Sequence, residues 1–169
     1  MNLRRVLFAL IAVVPFLLAA CGFQLREEVR LPAGMQRVHI EGAEPVSPLG
    51  RDLARALVRA GAVVVEDVGE GAARLRIGSN RIDTEVLSVG SNARANEYTL
   101  RHRVEFDVLS AAGEPLLDRQ VIELSRVFTF DATQALGVAA EQDLLVAELQ
   151  REMVQAILRR LESHSTAAR

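Results

Sequence analysis

The sequence predicts an α/β fold of the α+β type. It should be a two-layer sandwich, with two helices packed on one face of a mixed, mostly antiparallel sheet of about four strands. Three observations predict it. The element signals run strand, helix, strand, strand, strand, helix. The clearest strand signal alternates apolar and polar residues strictly, which leaves one face of the sheet polar. Two helices cannot cover both faces of such a sheet, so both belong on the apolar one.

Leu31-Pro32-Ala33-Gly34 is a turn signal. Arg37-Val38-His39-Ile40-Glu41 then alternates with the period of a strand, placing the first at about 36–41. Ser47-Pro48 opens a helix, with a capping hydroxyl followed by proline at the first helical position. Leu49, Leu53, Ala56, Leu57 and Ala60 recur at helical spacing, Arg51, Asp52, Arg55 and Arg59 take the other side, and Gly61 supplies a left-handed stop. The helix covers about 48–60. Ala62-Val63-Val64-Val65 is a short β-prone run that ends at the glycine-rich stretch Asp67–Ala72. It is not counted among the four strands.

Residues 73–89 read as one long, bent strand, with a bulge at Gly78–Arg81 because the apolar phase slips before Ile82. Gly90–Asn96 is a polar loop. Tyr98, Leu100, His102, Val104, Phe106 and Val108 then form one face of a half-buried strand, opposite Thr99, Arg101, Arg103, Glu105 and Asp107. A hairpin loop at Ser110–Pro115 leads into Leu116–Phe130, where Ile122, Leu124, Phe128 and Phe130 share a phase. The last helix is predicted over 135–162. Val138, Leu145, Val146, Leu149, Met153, Ala156 and Ile157 form its core stripe. Leu144, Val154 and Leu158 fall outside the stripe and suggest apolar surface for a partner contact. The first strand–helix–strand unit should be a parallel crossover and the rest antiparallel hairpins.

The N-terminus carries a different signal. Arg4 and Arg5 precede an apolar run from Val6, which ends in Leu18-Ala19-Ala20-Cys21. Basic, apolar and small residues in that order read as an export signal. The run is short and broken by Pro15, a poor fit to a membrane span of roughly 20 residues. The end resembles a bacterial lipobox, cut before a cysteine that then carries the lipid. The expected organisation is a signal peptide over 1–20, a lipidated tether over 21–30 beginning at Cys21, an α/β domain over 31–162 and a disordered tail over 163–169.

Loss of residues 1–20 removes two arginines and no carboxylate, so the formal charge of −2 becomes −4. A mildly acidic domain gives no electrostatic support to nucleic-acid binding. A single cysteine excludes an intramolecular disulfide, and every basic residue other than histidine is arginine. Each such cation is therefore a planar fork suited to carboxylate or phosphate.

For catalysis the inventory is poor. Cys21 is committed to lipid, His102 lies in the buried phase as a core histidine, and no spacing matches a metal site or a phosphate loop. No cofactor is expected. The arginines admit two readings. Arg74, Arg76, Arg101 and Arg103 stud the polar sheet face, either as a solvated surface balanced by Glu97, Glu105 and Asp107 or as donors to an anionic partner such as a phosphorylated glycolipid. A polar sheet face also suits the water-filled interior of a large β-barrel.

The residues that open the mature chain, Cys21-Gly22-Phe23-Gln24-Leu25-Arg26, resemble the start of the LptE family of lipopolysaccharide (LPS) assembly lipoproteins. Similar to that family, too, are Leu31-Pro32 with Met35, then Glu97-Tyr98-x-Leu100. The resemblance continues through Phe130-Asp131, Gln134-Ala135-Leu136, Glu141-Gln142-Asp143 and Glu148-Leu149-x-x-Glu152-Met153. It implies a non-enzymatic outer-membrane lipoprotein facing the periplasm, held by its N-terminal lipid, which plugs and helps assemble the β-barrel LptD and assists LPS delivery. It also implies LPS itself as a ligand of basic residues. Arg94 lies in the polar loop where such a residue falls, with Arg76, Arg101 and Arg103 behind it and Asn92 as a partner contact. The loop from Asp131 has no basic residue before the last helix, a departure from the family's more basic pattern. Gly22 after the lipidated cysteine is not an acidic retention signal, which implies export to the outer membrane. The competing expectation is a different periplasm-facing scaffold or lipid-transfer module.

Overall fold

The computed structural model describes residues 31–69, 71–89, 95–129 and 135–167. Cys21, Asn92 and Arg94 lie outside them. Two helices and five strands form the expected sandwich: β1 (Arg37–Glu41), α1 (Pro48–Arg59), β2 (Val63–Val65), β3 (Ala73–Val89), β4 (Ala95–Leu109), β5 (Pro115–Thr129) and α2 (Ala135–Ala167). The sheet order is β2-β1-β3-β4-β5. β1 runs parallel to both β2 and β3, whereas β3–β4 and β4–β5 are antiparallel.

The sheet has one strand more than the four expected. Val63–Val65 pairs with Arg37–His39, and Nδ1 of His39 sits 3.1 Å from the Val65 carbonyl oxygen, which accepts when the ring proton is on that nitrogen. Three residues are too few to show a period of two, so the sequence signal could not separate this strand from a loop.

α1 is bounded as its sequence dictates. The Ser47 hydroxyl oxygen accepts from the Gly50 N–H at 3.1 Å, and Pro48 follows it. At the other end the Gly61 N–H donates to Val58 and the Ala62 N–H to Leu57, the paired bonds of a Schellman stop around Gly61 at φ 87°. Gly42 holds the other demanding turn. At φ 76° it lies so close to β3 that a Cβ would overlap the Ile77 carbonyl.

β3 is bent where the apolar phase slips. Its pairing with β4 shifts between Ile77 and Ser79, so Ala73, Leu75 and Ile77 face the helices before the shift, and Asn80 and Ile82 after it. The main core joins Leu49, Leu53 and Leu57 of α1 to Leu75, Val104, Phe106 and Val108 of the sheet and Met153, Ile157 and Leu161 of α2. A second, smaller cluster of Leu100, Phe128 and Leu149, with Ile82, Tyr98, Leu145 and Val146 against it, continues the core along the sheet. Tyr98 and Phe128 stack there at 5.6 Å between centroids.

Two expectations for α2 are corrected. Val154 and Leu158 are 2% and 4% exposed and belong to the main core, packed in the layer that α2 shares with α1. A stripe facing only a sheet would leave them outside; a helix facing both a sheet and a neighbouring helix buries a wider arc. They are buried and offer no surface; Leu144, 70% exposed, is the member of that set that stays on the surface. Nor does the helix end at 162. It continues to Ala167 through the stretch expected as a disordered tail. Residues 163–167 contain no glycine or proline, and the Ser163 and Ser165 hydroxyls donate back to the carbonyls of Arg160 and Glu162.

Candidate functional site

Alternation along three long strands puts the charged side chains on the sheet face away from both helices. There the structure brings Arg76, Arg101 and Arg103 together with carboxylates. Nε of Arg76 donates to Asp107 at 2.6 Å. Arg101 is held on two sides, at 3.0 Å from Glu85 on β3 and 2.8 Å from Glu123 on β5. Arg103 donates to Glu105 at 2.9 Å and reaches Glu123 at 3.6 Å, and Arg119 lies 3.9 Å from Glu105. Glu123 thus bridges Arg101 and Arg103, and the network crosses all three strands.

The electrostatics agree with this geometry. The hydrogen bond from Arg76 to Asp107 raises the guanidinium above its ordinary value. The charges of Glu85 and then Glu123 do the same for Arg101, and the hydrogen bond to Glu105 does so for Arg103. These pairs are solvent-exposed, so they add little to stability and set the chemical character of the face. Glu85 and Glu123 do not stand out in the sequence as partners of Arg101. The signal for one of them is present: Glu123 is out of phase with Ile122 and Leu124, so it has to face the same way as the arginines of β4.

The face towards the helices holds two polar devices. His102 is fully buried, and its Nε2 lies 2.8 Å from Oδ1 of Asn80, which accepts when the ring proton is on Nε2. Burial lowers its pKa, partly offset by the Leu149 backbone. Further along, Arg126 of β5 reaches across to Glu152 of α2 at 2.5 Å, tying the sheet to the helix.

Two concavities lie near the helices. A largely apolar cleft of about 430 Å³ sits between β1, β2 and α1, lined by His39, Ile40, Ala43, Pro45, Val64 and Glu66 among others. A smaller groove of about 290 Å³ runs between α1 and α2. Among the described residues no group of three or more His, Cys, Asp and Glu is arranged to hold a metal. No described helix is long and apolar enough to cross a membrane.

The sandwich has counterparts among known proteins. Residues 35–161 match the lipopolysaccharide-assembly family LptE. The chain belongs to the LptE family. The match takes in β1 to β5, α1 and most of α2, so family membership and fold rest on the same residues. Relatives in Yersinia pestis and Yersinia pseudotuberculosis named LPS-assembly lipoprotein LptE are 28% identical over 94% of this chain and 76% of theirs. The solution structure of uncharacterized lipoprotein B from Nitrosomonas europaea superposes with a TM-score of 0.72 at 32% identity, covering 86% of this chain and 94% of that one. Rare lipoprotein B from Shewanella oneidensis gives 0.66 at 25% identity, over 78% and 98%. The two solved structures share the sandwich fold with this chain.

Proposed function

We propose that this chain is a non-enzymatic lipoprotein of LPS assembly, anchored in the outer membrane through Cys21 and seated inside the barrel LptD. The observation that carries the reading is the sheet face of LptE-family topology on which arginines and carboxylates pair across β3, β4 and β5. A face of that kind is stable against water and suits the polar, water-filled interior of a large β-barrel. The opposite face is already occupied by α1 and α2. Leu144 on α2 adds one exposed apolar contact, and Asn92, between β3 and β4 in the sequence, a polar one.

Direct LPS binding is the finer part of the proposal. Arg76, Arg101 and Arg103 each have a carboxylate within reach, so an LPS phosphate would have to displace Asp107, Glu85, Glu105 or Glu123 to engage them. Arg94, which follows β3 in the sequence, is the residue we assign to first contact with LPS. Its charge reversal separates the two parts of the proposal. Arg94→Asp should lower LPS retention in a filter-binding assay severalfold and leave association with the barrel intact. Unchanged LPS retention would remove Arg94 from the ligand site, and simultaneous loss of the barrel would show that the loop serves docking instead.

A further inference from the structure

On the sheet face Arg74 and Arg81 have no ion pair among the described residues, but the arginines that line a concavity together are on the helix layer. Arg51, Arg55 and Arg59 recur every four residues along α1, so they share one side of that helix. Like charges at this spacing repel, and among the described residues Asp52 is the one carboxylate that answers them, paired with Arg55 and 3.8 Å from Arg51. Arg151 approaches from α2. With Arg55, Arg59 and Gln155 it walls the 290 Å³ groove between the helices, over a floor made by buried Val154. Arg59 and Arg151 are exposed and make no ion pair or hydrogen bond among the described residues.

The contrast with the sheet is chemical. On the sheet, Arg76, Arg101, Arg103 and Arg119 each have a carboxylate within ion-pair distance. In the groove, guanidinium forks from two helices converge on a concavity where Asp52 alone is acidic, and Asp52 is committed to Arg55. Forked donors converging from two sides suit a tetrahedral oxyanion, which accepts bidentate hydrogen bonds on several edges. Arg59 and Arg151 come from different elements, so the site exists only in the folded sandwich.

We infer that the α1–α2 groove is a binding site for a phosphate group, supplied either by a phospholipid headgroup or as free phosphate, with Arg59 and Arg151 as its principal donors and Arg55 as a third. The site is independent of how the sheet face is used, and it stands whether or not the chain works inside a barrel.

The test uses the full chain in neutral detergent micelles, with the arginine Nε–H resonances followed by NMR. Inorganic phosphate is added in one series. In a second, dioleoyl phosphatidate is doped into the micelles, with phosphatidylcholine as the control lipid. Saturable changes in resonance position are expected at Arg55, Arg59 and Arg151 and not at Arg101. Arg59→Gln with Arg151→Gln should weaken the affinity at least about tenfold, and Arg151→Gln alone should weaken it measurably, with the melting curve unchanged. Saturation by inorganic phosphate identifies the free group as sufficient, whereas saturation by phosphatidate alone identifies the headgroup. No saturable change in either series, equal changes at all arginines, or affinity indifferent to both variants would overturn the inference.

Discussion

His102 shows how a single side chain acquires its role from its phase in a strand. It stands among Leu100, Val104 and Phe106 on the buried face of β4, so burial disfavours its charged form. Its pKa in the folded chain therefore lies below the ordinary 6.5 that the unfolded chain keeps. The sign follows. Above 6.5 both states carry neutral imidazole and the stability is full. As pH falls from 6.5 towards the lower folded value, only the unfolded state takes up the proton, and stability is lost. Urea unfolding between pH 7.5 and 5 should show this loss, its slope rising towards about 1.4 kcal/mol per pH unit below 6.5, and His102→Leu should flatten it. Equal pH slopes in both proteins would contradict the assignment. The buried histidine is legible in the sequence because β4 alternates without a fault. Its partner Asn80 is not, because the bulge after Ile77 decides which way Asn80 faces, and the register across a bulge is set only by pairing.

The two helices illustrate how far periodicity carries at the scale of an element. α1 matches its sequence signals at both ends, since a serine–proline start and a glycine stop are local chemistry. α2 departs from its signals in width and in length. The stripe in its sequence implies a single apolar neighbour, and α1 is a second one, so Val154 and Leu158 are buried in the core that the two helices share with the sheet. The consequence is a sharp difference between side chains of similar hydrophobicity. Met153→Ala, at a fully buried position, should cost about 2–5 kcal/mol of unfolding free energy. Leu144→Ala, at a 70% exposed position, should stay within about 0.5 kcal/mol. Chemical denaturation of the two variants checks this, and comparable losses would mean that α2 is rotated from the packing described. β2 escapes detection for an opposite reason: its signal is too short, and only the β1 edge beside it makes it a strand.

At the scale of the molecule, the sandwich separates its surfaces by charge arrangement. The sheet face carries a network in which Arg76, Arg101, Arg103 and Arg119 meet carboxylates, the helix layer gathers arginines of which Arg59 and Arg151 have no ion pair among the described residues, and the core lies between. The polar sheet face can be read directly from alternation in β4. The division between paired and unpaired arginines cannot, because it depends on which strands and helices become neighbours. Family membership connects this architecture to LPS assembly, and the central claim is that the chain works in complex with a large outer-membrane β-barrel. The measurement that tests it most directly is purification of the tagged full chain from native membranes in mild detergent, with the co-purifying proteins identified and quantified by mass spectrometry. The account predicts a β-barrel protein in near-equal amount that resists high-salt washing. Recovery of the chain alone, or with soluble periplasmic proteins in place of a barrel, would contradict it.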